Sequence, residues 1–194
     1  GVGLVNDIEN GMYEKVLVTP MNRTAVFVGK TASEVFRIGV QITIILGLGA
    51  LIGAEIATGV MGALGIIGVG ILFSLWFVAF SNTLAILTRD QESTIIGANL
   101  LQFPLLFLSS AFLPLGILPG WIQTFARLNP VTYGVDAARS LMLGRDVMTV
   151  IELTRFQSVL DGVVPGVVVL AAVDLVFGAV AVYLLSRASS SDVK

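Results

Sequence analysis

The sequence has no cysteine and no histidine. That removes disulfides, thiol and imidazole nucleophiles, Ser-His-Asp triads and any zinc site built on those ligands. Charge is also scarce: charged residues make up 12% of the 194 positions, 11 basic against 13 acidic. With a net charge of −2 and its basic residues scattered, the chain carries no footprint for nucleic acid. Paired carboxylates, metal-ligand clusters and nucleophile–base sets are missing as well, so the chain reads as no enzyme and as holding no metal or cofactor of its own. Gly29-Lys30-Thr31 looks like the end of a phosphate-binding loop. The full motif needs a glycine at position 24, where Thr24 stands, and a slimmer loop than Ala25-Val26-Phe27-Val28. Any ATP chemistry therefore belongs to a partner. An initiating methionine and a charged segment followed by a short apolar one are also lacking, so no signal peptide is expected.

What is present is apolar sequence in long runs: hydrophobic residues reach 56% and mean hydropathy is +0.94, far above soluble domains. The reading is an all-α polytopic membrane protein, a transmembrane helical bundle in which 1–194 form one domain. Spans are expected at 31–54, 59–87, 93–113 and 163–186, each near the length that crosses a bilayer of about 30 Å. Glu34 and Arg37 are spaced to pair at the interface at the start of the first span. Gly49 and Gly53 are four apart, a spacing that permits close helix approach. Ser74, Ser81 and Thr88 share one face of the second span. That stripe either faces a conduit or bonds its own helix carbonyls. Asn99, Gln102 and Ser109 share a face of the third, a candidate subunit interface or substrate path, because amides in a bilayer turn to protein or water. Asp174 lies in the middle of the fourth, where an acid costs about 2.5–3.5 kcal/mol to insert. It is expected to hydrogen-bond another span, at a subunit interface. It also leaves open an ion-coupled transporter as an alternative, beside a membrane scaffold that transports nothing.

The stretch from Leu113 to Gly144 organises the rest. It begins in an uncharged run, Ser93 to Ala126, that as one helix would reach roughly 50 Å. Pro114 and Pro119 break it. After Pro119 a short helix restarts, with Trp121, Phe125 and Leu128 on one apolar face. Asn129 and Pro130 stop that helix and start the next, as N-cap and first residue, and Gly144 ends it. Residues 114–161 are thus expected outside the membrane core, as a pair of short helices lying in the interface or dipping back into it.

The pattern FLSSAFLPLGILPGWIQTFARLNPVTYGVDAAR resembles the signature region of ABC-2 type permeases, the membrane subunits of bacterial and archaeal ABC exporters, the daunorubicin-resistance permeases included. The matching positions are Phe107 to Ser110, Phe112, Pro114, Leu118, Pro119, Asn129, Pro130, Tyr133, Asp136 and Arg139. A second stretch, DIENGMYEKVLVTPMNR, resembles the cytoplasmic coupling segment of that family, through Glu9, Gly11, Glu14, Leu17, Thr19, Pro20 and Arg23. Ile8, Met12 and Val16 give it the stripe of an amphipathic helix, which a helix lying on lipid would share.

The resemblance implies a permease subunit in the inner or plasma membrane that exports a drug, lipid or glycan. Its ATP and magnesium would be held by a separate ABC ATPase subunit, and its partners would be that ATPase, a second permease copy in a homodimer, and membrane lipid. It also implies six spans, of which this sequence would carry the last four. Placing residues 1–30, the loop at Arg89 and the tail in the cytoplasm puts seven basic residues inside and four outside, the side the positive-inside rule favours.

Overall fold

The structure, a computed structural model, describes residues 23–88, 90–113, 115–151 and 158–191. Among them there are six α-helices and no strand: α1 (Arg23–Leu51), α2 (Gly59–Thr88), α3 (Gln91–Phe107), α4 (Gly120–Leu128), α5 (Pro130–Leu143) and α6 (Leu160–Ser191), with one turn of 3₁₀ helix at Leu115–Ile117. The coupling residues Glu9, Gly11, Glu14, Leu17, Thr19 and Pro20 lie outside the described residues, as does Pro114.

Three helices are long and apolar enough to cross a membrane, with windows at Ala32–Leu51, Gly59–Ala85 and Leu160–Ala181. They correspond to the first, second and fourth expected spans. The first helix starts earlier than expected, so Gly29, Lys30 and Thr31 sit in helical backbone, which leaves no phosphate-binding loop there. It ends where Gly53 takes φ +92°, a left-handed conformation that glycine adopts without steric penalty. Gly49 lies against Ala54 of its own turn, and no other helix approaches Gly49 or Gly53 among the described residues.

The third expected span differs most. Its helix has 17 residues and stops at Phe107 rather than Leu113, a length of about 25 Å. Pro104 lies inside it and removes one backbone donor from its last turn. Its terminal carbonyls are taken by side chains from elsewhere, as described below.

Helix α2 is the hub: α1, α3, α5 and α6 all pack on it, and α5 packs on α6. The core is Val69, Ala137 and Leu170, with Leu72, Phe73 and Leu141 against it. A second cluster follows along α2, where the Trp76 ring meets those of Phe73, Phe77 and Phe177 at 5.4–5.9 Å. These pairs set the register. Gly65 faces Leu141 and Gly134 faces Phe73, so α5 runs antiparallel to α2 and begins beside the middle of it. Helix α5 is therefore re-entrant, about 21 Å long, rising from mid-depth of the bundle to the end where α1 turns into α2.

Candidate functional site

The site is where α3 stops and α5 starts. Asn129 has extended backbone, and its Oδ1 accepts the Val131 N–H at 3.0 Å, so it caps α5 in the manner expected. Its Nδ2 donates to the carbonyls of Leu105 and of Leu108, the latter at 2.8 Å. One side chain thus starts one helix and ends another. The negative end of α3 meets the positive end of α5, an arrangement favoured by both helix dipoles.

Asp136, about two turns further along α5, has no exposed surface. Its Oδ1 accepts Ser110 Oγ–H at 2.7 Å, and its Oδ2 accepts both the N–H of Thr149, at 3.0 Å, and the Thr149 hydroxyl. Arg139 Nη1 lies 3.7 Å from Asp136 Oδ1, while Nη2 donates to the Ser110 carbonyl at 3.2 Å. A buried carboxylate is tolerated only when its lone pairs are filled and a counter-charge is near; here three donors and a guanidinium do so. Tyr133 donates its hydroxyl to the Arg127 carbonyl at 2.8 Å, fastening the last turn of α4. Pro119 precedes the first residue of α4 and Pro130 is the first residue of α5. So the described signature residues Pro119, Asn129, Pro130, Tyr133, Asp136 and Arg139 form one connected structure. It ties the end of α3, the helix pair and the segment after α5 together.

Other parts of this site were given no role by the one-dimensional pattern, Ser110 included, which the signature matches without saying what it holds. Ser110 and Thr149 serve Asp136, and Gly162 and Gly166 serve the far side of α5. A Cβ on Gly166 would stand 2.7 Å from Ala137 Cβ and 2.8 Å from the Tyr133 carbonyl, and one on Gly162 would overlap Ser140 Oγ. This small-xxx-small pair is what lets α6 lie against α5. Its four-residue spacing was readable; the facing Ala137 and Ser140 were not. The turn between α1 and α2 closes the other end, where Ala57 N–H donates to the Met142 carbonyl at 2.9 Å and Thr58 donates to that of Leu141. Gly144 ends α5 with φ +67°, as expected.

The candidate path residues separate. Ser109 is buried and returns its hydroxyl to the Leu106 carbonyl at 2.6 Å, so it stabilises the end of α3. Gln102 faces a cleft of about 820 Å³ between α1, α2, α3 and α5, together with Ser74 and Ser81. Asn99 is exposed and faces away from that cleft. Thr88 bonds its own helix at the Leu84 carbonyl and reaches Thr94 of α3 at 2.8 Å. Asp174 is turned toward the Trp76 main chain. Its carboxylate oxygens are buried against α2, a neighbouring span. No group of carboxylates that could hold a metal occurs among the described residues.

Residues 1–143 match the profile of the ABC-2 type transporter family. Over 148 residues the chain is 27% identical to the probable doxorubicin resistance ABC transporter permease protein DrrC of Mycobacterium tuberculosis, covering 76% of this chain and 53% of that one. Over 144 residues it is 28% identical to the daunorubicin resistance ABC transporter permease protein DrrB1 of Streptomyces coeruleorubidus, covering 74% and 51%. The probable multidrug ABC transporter permease YbhR of Escherichia coli K12 is 24% identical over 143 residues, 73% of this chain and 38% of its own. The chain thus spans about half the length of the first two relatives. No solved structure matches.

Proposed function

The chain belongs to the ABC-2 type transporter family, and from that membership we propose that it forms the membrane-embedded part of a permease subunit in an ATP-driven exporter. The observation that carries the proposal is the family match over residues 1–143, which takes in the stretch from Glu9 to Arg23 as well as the signature helices. In this reading a separate ABC ATPase binds ATP and magnesium, two permease copies form the path, and the ATPase pair biases the permease between two arrangements. The relatives named for doxorubicin and daunorubicin resistance support a drug as cargo. The α3–α5 junction supplies a rigid body for such a motion, because its members are bonded to each other rather than to lipid.

The coupling element is the segment with Glu9, Gly11, Glu14, Leu17, Thr19, Pro20 and Arg23. Glu14→Lys tests it. A rim charge contributes about 1 kcal/mol or less to affinity yet fixes docking orientation. In the permease co-expressed with its ATPase, Glu14→Lys is expected to lower co-purification and substrate-stimulated hydrolysis at unchanged permease abundance. Met12→Ala serves as a packing control. Equal hydrolysis and equal co-purification for Glu14→Lys and wild type would reject the coupling role, and an added lysine that only tightens binding to anionic lipid would assign the segment to the membrane surface.

A further inference from the structure

We propose that the cleft between α1 and α3 is a binding site for lipophilic organic cations with aromatic bodies, selected by Glu34. Its use as a cargo site rests on the exporter reading; the binding itself does not. Helices α1 and α3 each pack on α2 and leave the cleft between them, with α5 as its far wall. At about 820 Å³ it is in the range of sites that take drug-sized molecules, which are mostly apolar with a few placed polar groups. Phe73, Trp76 and Phe77 give an aromatic wall from α2, and Ile38, Leu105 and Val135 line it from the other helices.

The polar groups are few and unequal. Gln102, Ser74 and Ser81 lie along the walls, and Ser74 already gives its hydrogen to the Ile71 carbonyl at 2.7 Å. Glu34 and Arg37, one turn apart on α1, form an ion pair at the end nearer the start of that helix. Both line the cleft, but the Glu34 side chain is 22% exposed and the Arg37 side chain 68%, so the carboxylate is the more enclosed of the two and the guanidinium the freer to leave. An entering cation can replace Arg37 as the partner of Glu34, since Arg37 has open surroundings to turn into. An entering anion would have to displace Glu34 from Arg37 and leave that carboxylate unpaired at an apolar site, which is strongly unfavourable. Aromatic faces add to the preference, because ring quadrupoles attract cations.

The test uses two ions of one shape and opposite charge. Purified permease in nanodiscs is titrated with radiolabelled tetraphenylphosphonium and, separately, with tetraphenylborate, without ATP or ATPase. Saturable binding of the cation only is expected. Glu34→Gln should weaken it roughly tenfold, a difference equivalent to about 1.4 kcal/mol, and Arg37→Gln should strengthen it. Ala138→Trp, which fills the cleft from α5, should abolish binding, with the helical spectrum and the elution volume reporting that the variant still folds. Saturable binding of both ions alike, once uptake by protein-free nanodiscs is subtracted, overturns the proposal, the subtraction being needed because the bilayer dipole potential itself separates the two charges. So does wild-type permease without saturable binding, the outcome if another transmembrane helix of the permease fills the cleft, and so does Glu34→Gln binding like wild type. Export without this binding would reject the site and keep the exporter; binding without ATP-driven export would do the reverse.

Discussion

Helix α1 and helix α5 are inverted relative to each other. In α1 the window Ala32–Leu51 is apolar, and none of it is buried within the chain; Ile44, Ile45, Leu48 and Leu51 are all exposed. In α5, Thr132, Asp136 and Ser140 are completely buried, beside Tyr133, Gly134 and Ala137. In water both helices would be wrong. In a bilayer the outside is as apolar as leucine, so burying α1 gains little and association depends on close packing and polar bonds instead. The comparison shows where this protein is specified: not along its longest helices but at a 14-residue one that carries polar groups into the bundle and pairs Asp136 and Ser140 there.

The strongest way to break that contrast is at Asp136. Asp136→Leu leaves Ser110 and the Thr149 N–H and hydroxyl without their acceptor, and Arg139 without its counter-charge. Removing one partner of a buried charged network costs about 3–5 kcal/mol. Asp136→Asn keeps the shape and one acceptor oxygen and should lose less. By contrast Leu48→Ala on the exposed face of α1 should fall within about 0.5 kcal/mol of wild type. Unfolding free energies from steric trapping in bicelles would compare the three; a Leu48→Ala loss as large as that of Asp136→Leu would reject the inversion.

Gly166→Leu attacks the same helix from behind. The side chain has to displace the Tyr133 carbonyl and Ala137, and overpacking of this kind costs about 1–3 kcal/mol. Cysteines placed at Ser140 and Asp161, in a chain with none of its own, should cross-link less readily in this variant. Asn129→Ala comes next. It removes a cap contributing about 1 kcal/mol, along with the donor to Leu105 and Leu108. Asn129→Asp sharpens the result, since it keeps the cap and turns a carboxylate oxygen instead of a donor toward the Leu105 and Leu108 carbonyls. An Asn129→Asp variant as stable as wild type would show that the link to α3 contributes nothing.

What could be read in the sequence was what neighbours in the chain decide. Asn129-Pro130 announced a helix start and Gly144 an end, and both are so placed; Trp121, Phe125 and Leu128 announced one apolar face, and all three are exposed. The family signature pointed at Asp136 and Arg139 without saying what they hold. The end of α3 at Phe107 was not legible, because carbonyls at its end, those of Leu105 and Leu108, are taken by Asn129, more than 20 positions away in sequence. Nor was Thr149, in a stretch read only as polar, nor the docking of the α1–α2 turn on the carbonyls of α5. Local chemistry writes helix boundaries into sequence, whereas a side chain that ends a distant helix leaves no periodic trace.

The smallest effect concerns a second Asx cap, placed in water instead of protein. Asp90 caps α3: its Oδ2 accepts the Ser93 N–H, three residues on, at 2.7 Å, where Asn129 caps α5 through the N–H two residues on. Its surroundings differ, for Asp90 is exposed and its carboxylate bonds the start of its own helix. The Ser93 hydrogen bonds stabilise the charged form and hold this carboxyl below its ordinary value of 3.8. A carboxyl lowered in the folded chain binds protons less readily there than in the unfolded one, so its contribution is complete at neutral pH and is lost as pH falls through and below 3.8. Asn129 does not titrate, so the junction with α5 should show no such dependence. Hydrogen exchange at the Ser93 amide, referred to that of Asp90→Asn to cancel the intrinsic pH dependence, should accelerate between pH 5 and pH 3 in about the range set by free aspartate, while exchange at Val131 does not. Asp90→Ala should exchange fast at Ser93 at every pH. If Ser93 and Val131 respond to acid alike, the two caps are not distinguished by their surroundings, and the contrast between buried and exposed polar groups fails at its simplest example.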